Sequence, residues 1–191
     1  AVVTALSTSG VVPAGVTGPP PLPNDVIDNV AAVVLFGMPA GWSAVKYGAP
    51  VIDVGSGAGL PGVVIALMRP DLQVHLVEPM QRRVAWLTEV AERLELDNVV
   101  VHGDRAEDLH ERLRADVVTA RAVAALDKLA RWTMPMVRLG GALLALKGAR
   151  AGEEVASARR VLDRLGATAV EVHEVDLYDD GEVTRVVEVR K

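Results

Sequence analysis

Cysteine is absent from all 191 residues. That excludes disulfides, thiolate metal sites and cysteine nucleophiles. Aromatic residues are scarce too: three Trp, two Tyr and one Phe. A chain that is 50% apolar with so few rings must build its core from Val, Leu and Ala, the composition of parallel strands covered on both faces by helices. No apolar run reaches the length of a membrane span, so no membrane partner is expected. The first residues lack the basic start of a signal peptide, and a cytoplasmic protein is the expectation. Excess positive charge is also missing, the formal net charge being −5. Distribution matters more than the sum. Between 121 and 150, Arg121, Lys128, Arg131, Arg138, Lys147 and Arg150 face only Asp127, while the tail from Leu165 onward is acidic. Two readings stay open: a basic face on an acidic protein, suited to nucleic acid, or scattered solvated charges.

What is present is organised around Val51–Gly62, Val-Ile-Asp-Val-Gly-Ser-Gly-Ala-Gly-Leu-Pro-Gly. Val51, Ile52 and Val54 read as a buried strand, and Val63–Met68 as a helix. Between them stand Gly55, Gly57, Gly59 and Gly62, too many for a plain turn. Such a loop lets a ligand lie close against a backbone without side chains, before the unpaired N–H groups of a helix start. A dinucleotide loop has the spacing G-x-G-x-x-G. Here the third glycine comes one position early, at Gly59, and Leu60 holds the sixth place, which disfavours a nicotinamide reading. A second strand, Gln73–Val77, ends in Glu78, twenty-three residues after Gly55. An acid at that tip is placed to accept hydrogen bonds from both hydroxyls of a ribose, and would repel a 2′-phosphate.

Further along, helices are expected over Met80–Leu94, over Leu126–Val137 with an interruption at Pro135, and over Glu153–Leu165. Strands are expected at Val99–Val101, Asp116–Thr119 and Ala142–Leu146, the last after a turn at Gly140-Gly141. Val170–Val175 and Val183–Val189 alternate around an Asp180-Gly181 hairpin signal. The fold class is therefore α/β: a doubly wound, Rossmann-like sheet, mostly parallel, with a C-terminal antiparallel hairpin. Residues 1–23, ending in Pro19-Pro20-Pro21-Leu22-Pro23, form an extended or flexible N-terminal arm. Residues 24–191 form a single domain, opening with a helix capped by Asn24 or Asp25 and closed at Gly37, then a loop over Met38–Ala49.

The G-x-G-x-G loop followed by Leu60-Pro61-Gly62 resembles motif I of the RsmG (GidB) family, bacterial 16S ribosomal RNA guanine-N7 methyltransferases of the class I fold. Four more segments resemble that family in its order: Val77-Glu78-Pro79-Met80-Gln81-Arg82-Arg83, Arg105-Ala106-Glu107-Asp108, Thr119-Ala120-Arg121-Ala122-Val123-Ala124 running on into Ala125-Leu126-Asp127-Lys128-Leu129, and Ala145-Leu146-Lys147-Gly148. Together they span roughly residues 51–165. Asn24-Asp25 stands where the family carries an Arg-His pair.

The resemblance implies S-adenosyl-L-methionine as cofactor and 16S rRNA or the small ribosomal subunit as partner. It implies cofactor binding by Asp53, Gly55, Ser56, Gly57, Gly59 and Leu60, by Glu78 at the ribose, by Arg105, Ala106 and Glu107 around the adenine, and by Arg121. Arg121 and Lys147 are the candidates for catalysis and for the RNA backbone. Guanine N7 carries a lone pair and no proton, so no general base is needed. Pyrimidine C5 methylation is closed by the missing cysteine, and no Asn/Asp-Pro-Pro-Tyr segment for exocyclic amines is present. No metal and a monomer are expected. The alternatives are a class I methyltransferase acting on a small molecule or protein, and a cofactor- or RNA-binding module without turnover.

Overall fold

Val51, Ile52 and Val54 are buried on both sides, as a central parallel strand requires. They belong to β1 (Pro50–Val54) in a computed structural model that describes residues 47–176 and 183–191. The arm over residues 1–23, the helix from Asn24 or Asp25 to Gly37, nearly all of the following loop, and the Asp180-Gly181 turn lie outside the described residues.

After β1 the chain runs α1 (Gly62–Met68), β2 (Gln73–Val77), α2 (Gln81–Arg93), β3 (Val99–His102), a 3-10 turn (Ala106–Leu109), β4 (Ala115–Arg121) and α3 (Leu126–Thr133). A second 3-10 turn (Met134–Met136), β5 (Val137–Lys147), α4 (Ala151–Arg164), β6 (Ala169–Asp176) and β7 (Val183–Arg190) complete it. The sheet order is β3-β2-β1-β4-β5-β7-β6. β1 to β5 are mutually parallel, while β7 pairs antiparallel with both β5 and β6. The expected doubly wound sheet with its antiparallel hairpin is the observed one.

Two apolar layers clothe the sheet. One gathers Leu126, Leu129, Ala130, Ala158 and Leu162 of α3 and α4 against Ile52, Val118 and Val187. The other gathers Val63, Val64, Ile65 and Leu87 of α1 and α2 against Val51, Val74 and Leu76. Each fully enclosed Leu or Ile contributes roughly 1.5–3 kcal/mol of transfer free energy.

Three differences from expectation go beyond a shift of one or two residues at an element's end or move a site residue. The Gly140-Gly141 turn is instead an irregularity within an eleven-residue β5. Gly140 takes φ +80°, the register slips between Ala115↔Val137 and Val117↔Ala142, and Gly141 passes so close to the Asp116 carbonyl that a side chain would not fit. Pairing to both neighbours keeps the strand extended: the Gly140 N–H donates to the Lys191 carbonyl at 2.8 Å, and the Lys191 N–H to that of Gly141 at 3.0 Å. α3 stops at Thr133, two residues before Pro135, and β5 then begins at Val137. Arg121, expected just past β4, is its last residue, because the ladder with β5 continues to Arg121↔Leu146.

The parallel strands point one way, so their carboxyl ends share one rim. The glycine loop, Glu78, Arg121 and Lys147 all stand there, at the ends of β1, β2, β4 and β5.

Candidate active site

The glycine loop is stitched to the tip of β2. The N–H groups of Gly55 and Ser56 donate to the Val77 carbonyl at 2.8 and 3.2 Å, and the Ser56 hydroxyl donates to the Asp53 carbonyl at 2.8 Å. Ser56 is thus a buried brace of the turn. Gly55 sits at φ +72°, and a Cβ there would lie 2.7 Å from Cγ2 of Val123, so both conformation and space require glycine. The Leu60 side chain packs into the α1–α2 layer, leaving only its backbone on the loop. The Leu60–Pro61 peptide bond is cis.

Glu78 is buried, and its carboxylate is already oriented. Oε2 accepts the Gly57 N–H and Oε1 the Met80 N–H, each at 3.0 Å, while Arg83 Nη1 stands 3.5 Å from Oε2. A carboxylate has about four acceptor positions; the two backbone donors and the long Arg83 contact use three, so one is open to an incoming hydroxyl and a second becomes available when Arg83 is displaced. Arg83, an unfavourable cation at a helix start by dipole alone, is explained by this pairing.

Asp53 is fully buried within β1. Its Oδ2 accepts the Gly62 N–H at 3.0 Å, while Oδ1 is buried without a hydrogen-bond partner. Burial pushes its pKa up to about 7, against the opposing pull of Gly62, Ser56 and the Arg121 charge. Arg121 Nε is likewise buried and unpartnered. A carboxylate oxygen lacking a donor and a guanidinium N–H lacking an acceptor are complementary to an ammonium and a carboxylate. Those are the two charged groups of an α-amino acid, the end that the expected cofactor carries.

Ala106, buried, opens the 3-10 turn that follows the carboxyl end of β3. Arg105 and Glu107 are exposed on either side of it. Of the expected residues, the structure thus gathers Asp53, the glycine loop, Glu78 and Arg121, with Ala106 on the loop after β3. Ser56 and Leu60 contribute through the backbone.

Lys147 does not stand free for a phosphate. Its side chain is 9% exposed, and Nζ donates to the Ala124 carbonyl at 2.6 Å and to Glu154 Oε2 at 2.7 Å. The cations between 121 and 150 do not form one patch either. Arg138 pairs with Asp116 at 3.4 Å at the opposite rim, and Lys128 lies 5.0 Å over the Trp132 ring. Beside Arg121, a crevice of about 840 Å³ is edged by Arg150 and by Arg185, whose Nε donates to Glu174 Oε1 at 2.8 Å. Sequence reasoning missed Arg185 because its strand lies far along the chain and joins β5 only through antiparallel pairing. A separate Glu171, His173 and Glu188 group lies on the hairpin, where His173 Nε2 and Glu188 Oε2 are 2.8 Å apart and Arg190 holds Oε1 at 2.8 Å.

The family model described as "GidB: rRNA small subunit methyltransferase G" matches residues 35–180. A ribosomal RNA small subunit methyltransferase G of Beutenbergia cavernae is 61% identical over 140 residues, covering 73% of this chain and 66% of its own. One of Thermobifida fusca is 59% identical over 120 residues, covering 63% of this chain and 51% of its own. The chain therefore spans between half and two thirds of the length of these relatives. Among solved structures, precorrin-6y C5,15-methyltransferase of Geobacter metallireducens superposes with a TM-score of 0.62 at 14% identity, covering 86% of this chain and 87% of its own, a likeness of fold alone. With three quarters of its residues under the family model and a relative at 61% identity, the chain belongs to the GidB family, rRNA small subunit methyltransferase G.

Proposed function

We propose that this chain is an S-adenosyl-L-methionine-dependent methyltransferase that methylates N7 of a guanine in 16S rRNA of the small ribosomal subunit. One observation supports the cofactor half: the Gly57 N–H orients the Glu78 carboxylate against the glycine loop, and Asp53, whose Oδ1 is unpartnered, lies within electrostatic reach of both Glu78 and Arg121. The residues present fit the group. Asp53 takes the ammonium, Arg121 the carboxylate, Glu78 the ribose hydroxyls, and the Arg105–Glu107 backbone the adenine edge. When bound, the cofactor supplies a sulfonium methyl open to in-line displacement. Family membership carries the substrate half.

The chain's own work is alignment. Guanine N7 brings its lone pair and releases no proton, so the site needs no base, and rate comes from holding two reactants in line. The crevice beyond Arg121, edged by Arg150 and Arg185, receives the RNA. Each phosphate neutralised there adds salt-dependent affinity. We place the enzyme in the cytoplasm as a monomer.

The test is incubation with radiolabelled cofactor and unmethylated small subunits, with naked 16S RNA alongside, followed by chain scission at N7-methylguanine. Label at one guanine is the expected result. Tight cofactor binding without label on either RNA refutes the substrate.

A further inference from the structure

The segment between β4 and α3 closes one side of the crevice, and its own backbone does little to hold it. Ala122 has φ +52°, a left-handed conformation that costs a residue with a side chain. No side chain of α3 caps its start at Ala125. The restraint comes from elsewhere. Lys147, at the end of β5, reaches the Ala124 carbonyl at 2.6 Å. Glu154, in the first turn of α4, accepts the Leu126 N–H on Oε2 at 2.8 Å. The two groups meet each other at 2.7 Å through that same Oε2. One ammonium and one carboxylate oxygen therefore grip both ends of the Ala124–Leu126 turn. The carboxylate also faces a helix N-terminus, where negative charge is favoured.

We infer that the Lys147–Glu154 pair is a clamp that sets the position of the Arg121–Ala125 strap, and that Glu154 is a positioning residue for methyl transfer. Val123 is carried by this strap and packs against Gly55, so a displaced strap shifts the floor between cofactor and substrate. Arg121 is anchored at the β4 end, through the ladder to Leu146. The ribose side is held independently, by Gly57 and Met80 on Glu78. Loss of the clamp therefore damages transfer more than ribose-side binding. This inference rests on the proposed function.

The experiment compares the unaltered chain with Glu154→Ala, Glu154→Gln, Arg121→Ala and the Glu154→Ala/Arg121→Ala double variant. Transfer to small subunits is measured as kcat and KM, and strap order as hydrogen exchange of the Leu126 amide. Glu154→Ala is expected to lower kcat by roughly 10- to 100-fold, the size of effect that a misplaced group produces. Glu154→Gln keeps an acceptor for Leu126 and is expected to recover part of that loss. In the Arg121→Ala background the further loss from Glu154→Ala is expected to shrink, since both changes act through one strap. Unchanged kcat, or fully additive losses, overturns the clamp. If Glu154→Ala does not fold, Glu154→Gln carries the same comparison. If the unaltered chain labels no RNA, the substrate assignment fails. The Leu126 amide then decides the clamp alone: faster exchange in Glu154→Ala, which removes the acceptor, supports it and unchanged exchange refutes it.

Discussion

The backbone N–H of Gly57 donates to Oε2 of Glu78 at 3.0 Å, joining two residues twenty-one positions apart. The bond fixes the glycine loop against the acid before any ligand arrives. A carboxylate positioned by two backbone donors loses little entropy on accepting a ligand hydroxyl.

Glu78→Gln tests that arrangement. The amide NH₂ must face either the Gly57 or the Met80 N–H, so one donor is set against another. Cofactor affinity is expected to fall by about 2 kcal/mol, roughly 30-fold in Kd. Calorimetry checks it, and an unchanged Kd removes Glu78 from the site.

Asp53 makes cofactor affinity depend on pH. Its pKa of about 7 comes first from burial. A ligand ammonium at Oδ1 requires the ionised form, so affinity is expected to weaken as pH falls below about 7. The ligand-free protein behaves oppositely. The folded state keeps a proton that the unfolded chain has lost, so the contribution of Asp53 to stability falls as pH rises from about 4 to about 7, opposite in sign to that of the histidine pair below, and the difference between the unaltered chain and Asp53→Asn isolates it. Asp53→Asn is expected to flatten both trends. Melting and calorimetric titrations from pH 5 to pH 8 check this, and a persisting slope in the variant assigns it to another group.

Gly62 and Gly152 form a contrast in space. A Cβ at Gly62 would press on the Leu76 side chain and lie 2.7 Å from Asp53 Oδ2, whereas nothing stands within 4 Å at Gly152. Gly62→Ala is expected to cost about 1–3 kcal/mol and to weaken cofactor binding through Asp53. Gly152→Ala, within α4, is expected to stabilise by about 0.4–1 kcal/mol. Urea denaturation of both reads the difference, and equal effects would contradict the close packing at Gly62.

His75 on β2 and His102 on β3 bring Nδ1 and Nε2 to 3.0 Å. Burial first, and the neighbouring ring second, push His75 down to about 4. Burial also lowers His102, with Asp104 opposing and Arg112 assisting. Between about pH 6.5 and pH 4 the unfolded chain takes protons that the folded state refuses, so stability is lost as pH falls through that window. The His75 contribution is about 2 kcal/mol between pH 7 and pH 5. Denaturant titrations of the unaltered chain and of His75→Leu check it. An equal acid slope in both places the titration elsewhere.

Much of the architecture was legible because its signals are local. The apolar run at Val51–Val54, the glycine loop behind it and the strand ending in Glu78 appear where periodicity and turn chemistry put them. The Gly140-Gly141 turn misled because two glycines read the same in a turn and in a β-irregularity, and only pairing with β4 and the chain end distinguishes them. At the site, Glu78 was readable from its spacing. Glu154 was not, since its partners Ala124 and Leu126 lie on the far side of β5 in sequence.

By itself the sequence determined the doubly wound sheet, the glycine loop behind β1 and the acid at the tip of β2, because strand and helix periods and glycine's backbone freedom act over a few residues. Only the tertiary structure decided which charges are free. Lys147 and Arg121 look alike along the chain, yet the crossover from β5 into α4 delivers a carboxylate to Lys147 and none to Arg121 Nε. A long cation's role depends on which partners the packing brings within about 3 Å, and that distance is set by the fold as a whole.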